Sequence, residues 1–319
     1  MEKKKNVILE FFKKDASFTS IFLALILISI VWSILTPFYF TAANFKNILV
    51  YISANGIMAA GLTVTLVLGG LDLSQMSLMA LAGMVAAIGY EAGLRGPVLF
   101  LIAILVGIIG GAINGILVTY MGINPFIATL ATQLAFRGLA FIVTNGRYIT
   151  ITDPMIRFIG FKSVLGLPSM FWIMLTVYIA IGFIMKFTQY GRNIYSVGGN
   201  RVASRLSGIS VKKVTILSFV ISGLTAGIAS ILYIAQGSVA LNNAGTGNEM
   251  DIMTAAILGG LSLAGGKGTV LNTFMGVVLL SVIANGMGLL SISSYYQMLI
   301  KGLILIVAVF IDHLREAKN

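Results

Sequence analysis

The residues able to do chemistry here are the few polar and ionisable ones that interrupt long apolar runs. Asp72 lies in Gly69-Gly-Leu-Asp-Leu-Ser74, a glycine-bearing break after an apolar run. A carboxylate at membrane depth costs about 2.5–3.5 kcal/mol on insertion scales, so a substrate or proton contact is one reading. The other, placed first because the break falls near the cytoplasmic end of a helix, is that Asp72 caps the next helix by accepting N–H groups near Ser74 and Gln75. Thr129, Gln133 and Arg137 recur every four residues and share one helical face. That face meets either a neighbouring helix or a watered path, and Arg137 could also snorkel to the interface. Asp72, Ser74, Thr129, Gln133 and Arg137 are the candidate translocation path. Asn55, Asn114 and Asn285 each precede a glycine and read as close-packing sites with hydrogen bonds across helices. The stretch from Asn242 to Asp251 is a Gly/Asn turn that leads Glu249 and Asp251 into the first turn of a helix, where the dipole favours carboxylates. Its expected outer location makes Asn243 and Glu249 candidates for docking an external partner.

Catalysis finds no support at membrane depth, where no nucleophile and base pair or metal cluster occurs, so neither a catalytic residue nor a metal site is expected. Gly265-Gly-Lys-Gly-Thr269 suggests a phosphate loop, but Leu261 and Gly268 stand where that motif needs glycine and Ser or Thr. His313, the single histidine, has no second ligand nearby in sequence.

Long helices must position these residues. Of 319 residues 58% are hydrophobic and only 10% charged, against roughly 25% charged in an average soluble domain. Continuous apolar runs exclude both a soluble core and the alternating strands of a porin-type barrel. The chain reads as an all-α polytopic membrane protein with about ten transmembrane helices, near 19–38, 47–70, 76–90, 98–120, 125–143, 169–187, 214–236, 251–266, 269–290 and 295–312. Short or broken helices fall near 69–76 and 259–268. Residues 1–18 form a cytoplasmic N-terminal segment, 19–312 one transmembrane domain with a cytoplasmic segment at 189–213, and 313–319 a cytoplasmic tail. The net charge of +11 reports topology. Lys and Arg crowd the side of the N-terminus, leaving only Lys46, Arg95, Arg147, Arg157 and Lys162 outside, which obeys the positive-inside rule with both termini cytoplasmic and makes nucleic acid an unneeded partner. The first apolar run is too long for a signal-peptide core. Cysteine is absent, which removes disulfides and thiolate sites. Residues 67–74 and 257–264 resemble each other around Leu-Gly-Gly-Leu, a hint of paired broken helices of the kind that line transport pathways.

The one polar island is 189–213. In it Asn200 can cap a short helix starting at Arg201, and Gly208 can end it. Two turns are unstable alone, so the helix needs contacts, either a groove on a partner or an anionic lipid surface drawing Arg201, Arg205, Lys212 and Lys213.

Taken in order, Gly69 to Ser74, Asn124-Pro-Phe-Ile-Ala-Thr129, Arg137-Gly-Leu-Ala140, Tyr195-Ser-Val-Gly-Gly-Asn200, Arg205-Leu-Ser-Gly-Ile209, Asn243-Ala-Gly-Thr-Gly247, Leu258-Gly-Gly and Gly265 to Thr269 resemble the membrane permease subunits of ribose-type sugar importers of the ATP-binding cassette class. The resemblance spans nearly the whole chain. It implies a multi-pass permease of the cell (inner) membrane that pairs with itself or a homologue, an ATPase subunit carrying ATP and Mg, an extracytoplasmic sugar-binding protein and a small sugar as substrate. It further implies that Asn200, Arg201, Ala203, Arg205, Leu206 and Gly208 form the coupling helix that enters the ATPase. Val202 and Ser204 stand where Glu and Ala are usual, and Gln75-Met76 where Val-Gly is usual. The rival expectation is an ion-coupled secondary transporter using Asp72.

Overall fold

The computed structural model describes residues 16–316; the expected N-terminal segment up to residue 15 and the end of the tail, 317–319, lie outside the described residues. Thirteen described helices follow in order: α1 Ala16–Leu35, α2 Ala42–Val67, α3 Gln75–Glu91, α4 Pro97–Thr119, α5 Pro125–Ile142, α6 Pro154–Phe161, α7 Ser169–Phe187, α8 Gln189–Gly199, α9 Arg201–Leu206, α10 Val211–Gly237, α11 Glu249–Leu258, α12 Val270–Leu289 and α13 Ser294–Glu316. Among them α1, α2, α4, α5, α7, α10 and α12 are long and apolar enough to cross a membrane. Two ribbons accompany the helices: β1 Ile149–Thr150 pairs antiparallel with β4 Val239–Ala240, and β2 Ser163–Val164 with β3 Leu167–Pro168.

Local chemistry sets the helix starts. Proline at the first turn begins α4, α5 and α6, where a missing N–H costs nothing. Asn124 accepts from the Phe126 N–H and Asp153 from those of Met155 and Ile156.

Helices α2, α3, α4 and α10 form the centre of the bundle, and small residues bring the last two together. Gly107, Gly111 and Gly115 of α4 lie against Gly223, Phe219 and Ile216 of α10, so close that a Cβ on any of the three would overlap the facing backbone. Spacing of four puts these glycines on one stripe, the arrangement by which membrane helices gain van der Waals contact where lipid offers no hydrophobic drive. Asn285 and Asn44 exchange hydrogen bonds between α12 and α2, and Asn114 bonds across α3, α4 and α5, in line with the packing role expected of them.

Two helices are broken inside the bundle. After Val67 the chain turns at Gly69, φ +79°, and residues 70–74 run back along α2 before α3 begins. The start of α3 lies at the level of Ser222, about 16 Å along α10 at 1.5 Å per residue. The second break follows α10. Ser238 takes a left-handed turn, φ +54°, β4 pairs with β1, and the 241–248 segment returns inward until Gly245 rests against Met76 and Met79 of α3. Helix α11, about 15 Å long, then descends the rest of the way. The second break therefore lies at 241–248 and not near 259–268, which is a loop at the end of the bundle carrying Gly260, Gly265, Gly266 and Gly268 at positive φ. The stretches 67–74 and 257–264, which resemble each other in sequence, are neighbours in the fold. Those segments follow the ends of α2 and α11 and lie side by side at one end, with Gly69 against Ala264 and Gly265.

Candidate functional site

At mid-bundle the two breaks meet a buried polar network. Asp72 Oδ1 accepts from the Ser74 N–H at 3.0 Å and the Ser74 hydroxyl at 2.7 Å, and Oδ2 accepts from the Ser222 hydroxyl at 2.6 Å. Asn114 Nδ2 donates to Ser74 Oγ at 2.7 Å, Thr132 donates to Asn114 Oδ1 at 2.7 Å, and Gln75 Nε2 donates to Ser222 Oγ at 2.7 Å. One carboxylate thus ties the start of α3 to α10, and through Ser74 to α4 and α5. The capping contact expected of Asp72 is present at Ser74. Its expected depth near a helix end is not: the extended 70–74 segment carries it to the middle of α10, where three donors replace the water it has lost.

The α5 stripe faces both breaks. Thr129 donates to the Leu71 carbonyl at 3.0 Å. Arg137 donates to the carbonyls of Asn242 and Ala244 at 3.0 and 2.8 Å. Between them Gln133 donates to Glu249 Oε1 at 3.3 Å, and Arg137 lies 3.7 Å from the same carboxylate. Unwound backbone inside a membrane leaves carbonyls without helical partners, and a polar side chain every four residues supplies them on both sides of the crossing. Arg137 is therefore anchored inward and does not snorkel. Glu249 turns in to meet it and accepts from the Gly247 N–H at 2.8 Å, its side chain 11% exposed. Asn243 is exposed. The cavity enclosed by Asp72, Gln75, Met76 and Glu249 holds about 10 Å³, room for about one water.

The end of the bundle that carries 188–210 is organised by glycine. Gly198 of α8 lies against the Val67 carbonyl where α2 ends, and the same carbonyl accepts from the Gly266 N–H at 2.8 Å. Tyr195 donates to the Gly268 carbonyl at 2.8 Å; burial pushes its phenol above the usual tyrosine range, so it keeps that proton. Burial also takes Tyr190 up to about 12, although its contact with Ser218 at 3.0 Å opposes the shift. Helix α8 is not among the helices expected from the sequence, yet Thr188, which caps it at the Gly191 N–H, and the buried Gly191, Ile194 and Val197 at helical spacing are its signals.

From α8 projects α9, within the bounds expected of it. Asn200 Oδ1 accepts from the Ala203 N–H at 2.9 Å, and Gly208, φ +81°, ends the turn. Ser204 is buried, so this position takes only a small side chain, while Val202 and Leu206 are 70% and 85% exposed on the same face. Arg201, Ala203 and Arg205 are exposed beside them.

Residues 44–309 match the family described as the permease component of branched-chain amino acid transport systems. The chain is 41% identical over 303 residues to the ribose import permease protein RbsC of Escherichia coli (strain K12), covering 93% of this chain and 94% of that one. It is 34% identical to RbsC of Bacillus subtilis (strain 168), covering 93% and 92%, and 32% identical to the L-arabinose transport system permease protein AraH of Escherichia coli (strain K12), covering 89% and 87%. Among solved structures, PsaBC from Streptococcus pneumoniae in complex with Fab aligns with a TM-score of 0.51 at 18% identity, covering 86% of this chain and 95% of that one, a likeness of fold.

Proposed function

The chain belongs to the permease family of branched-chain amino acid and ribose-type transport systems, and from that membership we propose that it is the membrane permease subunit of an ATP-binding cassette importer for a small sugar. In this reading the chain crosses ten times, α3 and α11 being completed by the extended breaks that precede them, and the crowding of Lys and Arg assigns both termini and α9 to the cytoplasmic side of the cell membrane. Two permease subunits, identical or homologous, enclose the translocation path between them. The path is then lined from α5 and the two breaks, with Thr129, Gln133 and Arg137 fixing backbone beside it. An extracytoplasmic sugar-binding protein docks on the opposite end, where Asn243 is exposed.

The observation that carries this reading is α9. A six-residue helix with Val202 and Leu206 exposed is too short to persist unaided, and the apolar pair flanked by Arg201 and Arg205 suits insertion into a cleft on an ATPase subunit. ATP and Mg reside on that partner. Closure of the ATPase dimer pushes α9, α8 transmits the push at Gly198 to the end of α2, and the broken helices are moved.

Hydrolysis by the partner ATPase, reconstituted with this protein in lipid, tests the assignment. The wild-type permease is expected to bind the ATPase and change its turnover, whereas Arg205→Glu and Gly208→Trp, shown to be folded, abolish the effect. An ATPase panel from sugar importers that neither binds nor responds would overturn it.

A further inference from the structure

Lys186, in the last turn of α7, and Arg192, in the first turn of α8, open on one groove of about 830 Å³ between α7, α8 and the first turn of α12. Its walls are mostly apolar, with Tyr195, Ser196, Thr269 and Asn272 as the polar exceptions. Met185 is buried at the back, Phe187 and Leu271 stand exposed at the sides, and Gly182 lies one turn deeper along α7, where a Cβ would meet nothing within 4 Å. Among the described residues neither cation has a carboxylate partner, and no Asp or Glu occurs anywhere between Asp153 and Glu249. A cavity of this size is ligand-sized, and it joins two cations without a carboxylate, Lys186 lying 5.4 Å from the Phe187 ring centroid, to a largely apolar channel along a membrane helix.

We propose that this groove binds one anionic phospholipid, its phosphate between Lys186 and Arg192 and an acyl chain running past Phe187 and Met185 to Gly182. Basic pockets between membrane helices recognise headgroups in this way. A soluble phosphate would satisfy the cations but leave the apolar walls wet. An acidic protein surface would meet Arg201 and Arg205 on the projecting α9 before it reached a groove beside exposed Phe187 and Leu271. The lipid would fix the junction of α7 and α8, the hinge from which α9 projects.

Native mass spectrometry and thermal unfolding of the purified full chain, with phosphatidylglycerol against phosphatidylcholine, test this. One phosphatidylglycerol is expected to be retained and to raise Tm beyond phosphatidylcholine. Each cation is worth about fivefold in affinity, so Lys186→Gln with Arg192→Gln weakens retention about 25-fold. Gly182→Leu, which keeps the charges and fills the channel, also lowers it. Lys212→Gln with Lys213→Gln removes equal charge from the same end and leaves it unchanged. Equal loss from both pairs would reveal diffuse surface attraction and overturn the site, as would inorganic phosphate reproducing the Tm rise. The site is equally overturned if the first pair keeps the lipid and instead loses the ATPase subunit.

Discussion

Asp72 and Arg137 show how a charge can sit at membrane depth as part of the scaffold. Each is spent on groups that a broken helix leaves exposed: Asp72 on the Ser74 N–H and two hydroxyls, Arg137 on two carbonyls and the Glu249 carboxylate. Asp72→Asn keeps one acceptor oxygen and withdraws the other from Ser222. Thermal unfolding should show a loss of about 1–2 kcal/mol, while uptake stays ATP-dependent and indifferent to an ion gradient; uptake abolished with Tm unchanged would return Asp72 to the transport chemistry. Arg137→Met should cost more, about 3–5 kcal/mol, because it leaves the Glu249 carboxyl without its cation, held only by Gln133 and the Gly247 N–H, in addition to two bare carbonyls. The Thr129, Gln133 and Arg137 stripe was legible because its spacing matches a helical turn. Its partners were not, since Leu71 and Asn242 are distant in sequence and only the fold sets them on either side of α5.

Among the elements, the contact of α4 with α10 and the projection of α9 make opposite demands on side chains. In α4 the backbone itself is the packing surface. Gly111→Val should therefore lower Tm sharply, by about 1–3 kcal/mol of overpacking, whereas Gly138→Ala on α5, where nothing lies within 4 Å, should hold or gain about 0.5–1 kcal/mol. Similar losses from both would mean that helix propensity and not close approach governs these glycines. Helix α9 carries its apolar residues outward, so Leu206→Glu should leave Tm unchanged and remove the response of the ATPase. The bounds of α9 were readable from Asn200 and Gly208 because caps are local chemistry. Helix α8 was missed because its glycines lower helix propensity, and burial against Ile184, Met185 and Val67 overrides that cost.

For the whole molecule, the two breaks enter the bundle from opposite ends, one after α2 and one after α10, and α5 holds both. The proposed sidedness, with α9 on the cytoplasmic side, is open to direct test. The absence of native cysteine gives a clean background for single replacements: Ser207→Cys, at the exposed tip after α9, should be labelled by an impermeant maleimide only in inverted vesicles, and Ser163→Cys, in the exposed ribbon between α6 and α7, only in intact cells. Labelling of both from one side would refute the ten-crossing arrangement. By itself the sequence determined that the chain is helical and membrane-embedded, where its basic side lies, and which short segment projects from it. Those properties follow from composition, apolar run length and caps, each contained within a window of a few turns. Tertiary structure alone decided that the second break lies at 241–248, that Glu249 faces inward, and that Asp72 sits at mid-depth. The reason is that an extended segment folding back into the bundle is polar and glycine-rich like any surface loop, and only the distant side chains that satisfy its backbone distinguish the two.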